Sequence, residues 1–417
     1  MTDATVTEAL ATSASIETAR IVSTVIRMTG DFTLAEDCLQ DAFAKALIDW
    51  PLKGVPTNPG AWLTTVAKNR AVDLLRHAAS ENRALKRVAL EPRELEHSSE
   101  EDGTDTELAV ELDTDDRLRL IFICCHPALP MDARVALTLR TVAGLSPAQI
   151  ARLFLVSESA MEKRLVRARA KIKNASIPYR VPAANRLAER RDGVLAVLYL
   201  LFTEGYSEAY SDSIVRRMLV DEAIRLTRWV AELMPIDAES RGLLALMLLQ
   251  HARSNARSDT HGDLVTLENQ DRSLWDAVAI AEALEILGRL PPNPGRYELQ
   301  ARIAACHATA PTAESTDFGR VTMLYTALVA IAPSPVVELN RAVAVAMSQG
   351  ADAGLAILAT ITGLDDYHLL PATRADLLRR LGRRSDAVIE YERALDLAPS
   401  DVERRYLERR IREARQL

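Results

Sequence analysis

The chain has 417 residues, of which 48% are hydrophobic, 26% charged and 5% aromatic; that is too long for one compact core and predicts about two to three globular domains of ordinary soluble composition. Only 16 Gly and 18 Pro are spread along it, which favours an all-α fold over turn-rich sheet, and a net charge of -7 taken whole argues against a simple basic nucleic-acid binder. Met1 to Ala14 lacks the features of a secretory signal, no stretch approaches the roughly 18 to 20 apolar residues of a membrane span, and Cys38, Cys124, Cys125 and Cys306 have no disulfide spacing, so the expected setting is a reduced cytoplasm without membrane contact.

The first predicted helix lies within 34–49, where apolar residues recur in pairs four apart: Leu34/Ala35, Cys38/Leu39, Ala42/Phe43 and Ala46/Leu47. The opposite rows hold Glu36, Asp37, Gln40 and Asp41, an acidic stripe expected at the surface. Trp50-Pro51 is expected to end this helix, and a loop runs to Pro59-Gly60. A second helix opens at Ala61, with Trp62, Leu63, Val66, Ala71 and Leu74 on its apolar side and Lys68, Arg70 and Arg76 supplying charge. Basic side chains beside an aromatic suit single-stranded DNA, whose phosphates need neutralising and whose unstacked bases need a flat surface. The same pattern also fits a solvated basic face with Trp62 as a core anchor.

Residues Glu91 to Asp116 hold twelve Asp or Glu against one Arg, and a segment so charged reads as an extended linker. Without it the first 177 residues change from a net -3 to +8, so the acidity of the whole chain hides two basic units, 1–90 and 117–177. The remaining 178–417 carry about -4 and no lysine.

In the second basic unit, Ser146-Pro147 with Gln149 three after the cap marks a helix start. After a short turn at 155–157, Met161, Leu165, Ala168 and Ile172 form one inward stripe, while Lys163, Arg164, Arg167, Arg169, Lys171 and Lys173 take other faces. This fits a helix-turn-helix whose second helix enters the DNA major groove. Ser157, Ser159, Glu162, Lys163, Arg164 and Arg167 stand where base edges are read, and Arg169 and Lys171 where phosphates are met.

The run from Leu34 to Phe43 (LAEDCLQDAF), followed by Asn58 to Arg76 (NPGAWLTTVAKNRAVDLLR), resembles region 2 of the bacterial extracytoplasmic-function sigma factors. Leu145 to Arg152 (LSPAQIAR), then Val156 to Ile172 (VSESAMEKRLVRARAKI), resembles their region 4, and the long tail resembles the subgroup with a helical C-terminal extension. The resemblance implies a chain that binds RNA polymerase core and directs promoter-specific initiation. Glu36, Asp37, Gln40 and Asp41 with Phe43 would dock on the clamp helices of the largest polymerase subunit. Trp62, Lys68, Asn69, Arg70, Asp73 and Arg76 would melt and read the minus-10 element. The minus-35 readers would be Ser157, Ser159, Glu162, Lys163, Arg164 and Arg167. Glu162 departs from the family's frequent basic residue: it either accepts from a cytosine amino group or caps its own helix through Ser159.

In the tail, Ala223 to Pro235, Ala279 to Pro291 and Ala387 to Pro399 repeat one offset of twelve. Gly382, Ala387, Tyr391, Ala394 and Pro399 match the second half of a tetratricopeptide repeat, which predicts an irregular helical-repeat domain over 178–417. The segment Leu201 to Ser207 (LFTEGYS) is where the family likeness of the tail is strongest. Glu204, Tyr206 and Ser207 are read there as an intramolecular contact with the sigma domains or a ligand site; Gly205 as a helix cap with Tyr206 packed is the plainer reading. Cys124-Cys125-His126 lacks the second ligand pair that a metal needs, and no nucleotide-binding or catalytic motif occurs, so neither a metal, a cofactor nor an enzyme is expected. The competing reading is a helix-turn-helix regulator whose repeat-like tail senses a peptide or small molecule; it leaves the acidic stripe and the Trp62 helix unexplained.

Overall fold

The computed structural model of the protein describes residues 18, 20–89, 119–154, 156–175, 177, 182, 184–206, 213–259 and 263–416. The acidic segment 91–116 lies outside them. Among the described residues all regular structure is helical apart from one isolated bridge between Ser258 and Leu264, as the composition predicts. The chain divides into two compact units, Met1–Leu200 and Leu201–Leu417.

The first unit starts with α1 (20–29) and α2 (Phe32–Lys53). Asp31 caps α2: its Oδ1 accepts from the backbone N–H of Thr33 at 2.9 Å and of Leu34 at 3.2 Å. Ala35, Cys38, Leu39, Ala42 and Ala46 of the expected apolar pairs are buried, and Trp50 closes the row. The helix does not stop at Trp50-Pro51, as the sequence suggests, but at Lys53, where Gly54 takes φ 87° and donates its N–H to the Trp50 carbonyl at 2.9 Å. Pro51 sits in the last turn, where its missing N–H forgoes a single bond one turn back. α3 (Pro59–Ala89) opens two residues earlier than expected, with Pro59 at its first position and the Asn58 Oδ1 accepting from Ala61 N–H at 3.0 Å.

Next come α4 (119–124), α5 (Met131–Thr141), α6 (Pro147–Leu153) and α7 (Glu158–Asn174). The expected start of α6 is a full capping box: Ser146 Oγ accepts from Gln149 N–H at 3.2 Å, and Gln149 Oε1 accepts from Ser146 N–H at 2.8 Å. Ser157 caps α7 by accepting from Ala160 N–H at 3.3 Å, and Met161, Leu165, Ala168 and Ile172 are all buried. The unit ends inside α8 (Ala184–Tyr206), whose Arg190 donates to the Phe122 carbonyl of α4 at 2.7 Å.

The second unit is built from α9 (Ser213–Leu233), α10 (Ala238–His251), α11 (Ala277–Gly288), α12 (Arg296–Thr309), α13 (Phe318–Ile331), α14 (Pro335–Gln349), α15 (Ala351–Leu358), α16 (Leu369–Arg380), α17 (Arg384–Asp396) and α18 (Asp401–Gln416). The repeated Ala-to-Pro offset marks the ends of α9, α11 and α17, each followed within three residues by its proline. Small residues let neighbours close up. A Cβ on Gly242 of α10 would lie 2.8 Å from the Glu298 nitrogen of α12, and one on Gly354 of α15 would lie 2.6 Å from Ala346 Cβ of α14. In the segment matching a tetratricopeptide repeat, Gly382 turns the chain at φ 76° and Ala387, Tyr391 and Ala394 are buried with Leu407 and Ile411 of α18. The last helix also reaches back to the segment after α10: Arg405 pairs with Asp263 at 2.7 Å, Arg409 donates to the Leu264 carbonyl at 3.4 Å, and Arg380 of α16 pairs with Glu268 at 3.2 Å.

Candidate functional site

The expected docking stripe on α2 is exposed at Asp37, Gln40 and Asp41, and Phe43 is half-buried beside it. Glu36 is not part of that surface: it is 6% exposed, held between Arg140 of α5, at 3.5 Å, and Arg169 of α7. The helical rotation explains this. Phe32, Ala35, Glu36, Leu39 and Phe43 form one continuous row, so a carboxylate at position 36 turns under the rim of the apolar face rather than away from it. Burial pushes its pKa up, against the opposing pull of Arg169 and Arg140. One turn earlier, Asp31 Oδ2 accepts from Lys173 Nζ at 2.9 Å. Partial burial would raise the Asp31 carboxyl, but that bond and those from Leu34 and Thr33 hold it below its ordinary value. Sequence reasoning missed both contacts, because their partners lie more than a hundred residues along the chain.

On α3, Lys68, Asn69, Arg70, Asp73 and Arg76 are all exposed. Arg70 pairs across to Asp41 of α2 at 2.7 Å, which raises the Arg70 pKa and ties one expected promoter residue to one expected polymerase residue. Trp62 is half-buried and packs edge to face on the buried Trp50, with ring centroids 5.5 Å apart at 64°. It is thus an anchor whose remaining face meets solvent. Near it the end of α2 leaves Leu47, Ile48 and Leu52 exposed at 55%, 67% and 81%. Leu47 belongs to the apolar pairs and is nonetheless exposed, while Ile48 and Leu52 fall outside them.

On α7, Ser157, Ser159, Glu162, Lys163 and Arg167 face solvent. Ser157 is the cap, so Glu162 is not needed for one built through Ser159. Arg164 departs from the expectation of an outward-facing base reader. Its guanidinium, partly exposed, lies 3.2 Å from the half-exposed Asp132 of α5 and 5.3 Å from the Phe154 ring centre, so it ties α7 to α5 and α6 at the surface. Val166, unremarked in the sequence, is 59% exposed between Lys163 and Arg167 and offers a methyl surface of the kind that meets thymine.

The Glu204 and Tyr206 side chains, and Ser207 entirely, lie outside the described residues. Cys124 and Cys125 are buried, and burial pushes the Cys125 thiol up to about 11, with its Sγ 3.6 Å from Thr138 Oγ1. No cluster of three or more His, Cys, Asp or Glu able to hold a metal occurs among the described residues.

Two known families cover the first unit. The sigma-70 region 2 family matches residues 18–81 and the sigma-70 region 4 family matches 119–172. A probable ECF RNA polymerase sigma factor, SigI, of Mycobacterium tuberculosis (strain ATCC 25618 / H37Rv) is 28% identical over 173 residues, 41% of this chain and 57% of that one. A Rhizobium meliloti (strain 1021) protein, R00370, is 44% identical over 390 residues, 92% of this chain and 90% of that one. The chain belongs to the extracytoplasmic-function sigma factors. Such sigma factors are non-enzymatic transcription factors that bind RNA polymerase core and promoter DNA, and this one carries a helical C-terminal extension. A family of unknown function, DUF6596, matches 190–290 of the sigma factor, across the division between its two units. A thermophilic tetratricopeptide protein of Thermus thermophilus, TTC0263, overlaps 53% of the sigma factor and 100% of its own chain at 19% identity with a TM-score of 0.35. Among the described residues no helix of the sigma factor is long and apolar enough to cross a membrane.

Proposed function

We propose that this sigma factor directs initiation through three exposed surfaces of its first unit, the first two joined by the Asp41–Arg70 pair. Asp37, Gln40, Asp41 and Phe43, continued by Ile48 and Leu52, dock on the clamp helices of the largest polymerase subunit. The acidic end orients the encounter with a basic helical partner, and the apolar end supplies area to bury. Trp62, Lys68, Asn69, Arg70, Asp73 and Arg76 take the melted minus-10 strand, cations on phosphates and Trp62 against an unstacked base. Ser157, Ser159, Glu162, Lys163, Val166 and Arg167 read the minus-35 element in the major groove, while Arg164 positions their helix. The observation that carries this reading is the pair of exposed charged faces, on α3 and α7, each backed by a buried apolar stripe. The extension 178–417 modulates activity in place of a separate partner.

Run-off transcription with purified core polymerase, from promoters occupied by the protein in vivo, tests it. The full chain, or a chain ended after residue 206, is expected to start transcripts at those promoters. Absence of initiation by both forms overturns the sigma mechanism, and duplex binding without initiation would favour a simple helix-turn-helix regulator.

A further inference from the structure

Residues 252–276, between α10 and α11, form an excursion that returns to where it left: Asp276 N–H donates to the Ala252 carbonyl at 2.9 Å. Helix connections in bundles usually take about 2 to 8 residues, so this one does more than join its helices. The clasp brings the two ends of the excursion together. The Trp275 ring, 7% exposed, is approached by two guanidiniums, with the Arg272 Cζ 4.6 Å and the Arg253 Cζ 6.0 Å from its centre.

Donors exceed acceptors at this place. Trp275 Nε1 is buried and has no hydrogen-bond partner, and neither has the buried Arg272 Nη1. Arg169 and Arg410 also bury a nitrogen without a partner, but each holds a carboxylate by another nitrogen, Arg169 that of Glu36 and Arg410 that of Asp376. The Arg272 side chain makes no hydrogen bond or ion pair among the described residues, and Glu314, the carboxylate on which it acts, is exposed. His307 of α12 feels the same excess: burial, then Arg253 and Arg272, lower its pKa to about 4, so it stays neutral beside them. A buried indole N–H can only donate, and a guanidinium presents planar donors that match carboxylate and phosphate oxygens. Orphaned donors beside positive charge select one kind of guest, a small anion with several oxygens; a neutral or cationic guest leaves the charge uncompensated.

We propose that Arg272, Trp275 and Arg253 form an oxyanion site in the extension, which takes the phosphate or carboxylate group of a small molecule, with His307 beside it. The anion supplies the acceptor that Trp275 Nε1 and Arg272 Nη1 lack, and it reverses the field at His307. The polymerase and promoter surfaces of the first unit use none of these residues, so the site and the sigma mechanism can fail separately.

The experiment is calorimetric titration of the full chain with inorganic phosphate and, separately, with acetate, at neutral pH and at an ionic strength matched with sodium chloride. Saturable heat at one site per chain is expected from at least one of the two. Phosphate alone assigns a phosphate head group, acetate alone a carboxylate, and both together a site that reads charge rather than shape. Arg272→Gln removes a side chain that pairs with no carboxylate and is expected to fold normally; Trp275→Phe keeps a ring and loses the N–H. Each should weaken binding about tenfold. Arg393→Gln removes the same charge from an exposed position on α17 and should leave binding unchanged. In NMR spectra of the chain with isotope-labelled histidine, the bound anion should raise the midpoint of the His307 titration, and Arg272→Gln should raise it without any anion. Water at those donors in place of an anion gives no saturable heat from either titrant, and that result overturns the site. Binding that survives undiminished in both Arg272→Gln and Trp275→Phe, or that Arg393→Gln weakens as much as they do, overturns it as well.

Discussion

The guanidinium of Arg164 lies 3.2 Å from the carboxylate of Asp132, joining the recognition helix to the helix beneath it. An arginine so held, and also stacked on Phe154, contributes about 1 kcal/mol to the helix-turn-helix. Arg164→Ala is therefore expected to lower the melting temperature and to weaken promoter and random duplexes about equally. Lys163→Ala should leave stability alone and lose about 1 to 3 kcal/mol on the promoter duplex, with a smaller loss on random DNA. Anisotropy titrations on both duplexes distinguish the two residues, and a loss for Arg164→Ala confined to the promoter would return it to the base readers.

Trp50 and Trp62 touch but should fail differently. Trp50 is 1% exposed, so Trp50→Ala is expected to cost about 3 to 5 kcal/mol of stability, read by urea unfolding. Trp62→Ala loses only part of an edge-to-face contact, about 1 kcal/mol, but removes the aromatic offered to the melted strand. Permanganate reactivity of minus-10 thymines should disappear for Trp62→Ala while the fold persists. Normal open complexes would place the stacking surface elsewhere.

Where the sigma portion is cut also matters. Arg190 of α8 is bonded to the Phe122 carbonyl of α4, and the division between units falls at Leu200. A chain ended at residue 206 is expected to be soluble and cooperative in unfolding. One ended at 177 should melt at a lower temperature, since it leaves the region packed by Arg190 uncovered. Equal melting temperatures would show that α8 contributes nothing to the first unit.

His307 supplies a pH dependence for the extension. Burial, then Arg253 and Arg272, lower its pKa to about 4, and its ring packs edge to face on Phe318. The unfolded chain takes up a proton near the ordinary 6.5 that the folded chain refuses until about 4. Stability is therefore fully present above pH 6.5 and is lost as pH falls towards 4, by up to about 3 kcal/mol. Denaturant unfolding of the full chain across that window should show this slope, and His307→Phe should flatten it. An unchanged slope would assign the effect to His126, whose pKa is also lowered to about 4.

What could be read in the sequence follows from the range of the interactions involved. The inward stripe Met161, Leu165, Ala168 and Ile172 and the Ser146 cap depend on residues within a few positions of each other, and they appear as expected. The outward direction of Glu36 and Arg164 did not follow from the same rules. Helical periodicity gives a face, but a charged side chain at its rim is buried or free according to a partner, here Arg169 for Glu36 and Asp132 for Arg164, that no local pattern announces. The exposed Leu47 was hidden by the opposite fault: it was read with the apolar pairs because most such residues are core. In the tail, the Ala-to-Pro offsets located helix ends but not which helices pair.

The ion pairs by which Arg405 and Arg380 reach Asp263 and Glu268 fasten the end of the extension to a segment more than a hundred residues earlier. An ordinary stack of repeats can gain or shed a terminal unit with only a local loss, and it frays from whichever end is weaker. Here the C-terminal end is fastened a second time, to the segment between α10 and α11 well inside the stack. Damage to the last helix is therefore felt beside α10 and α11 as well as at its neighbour α17.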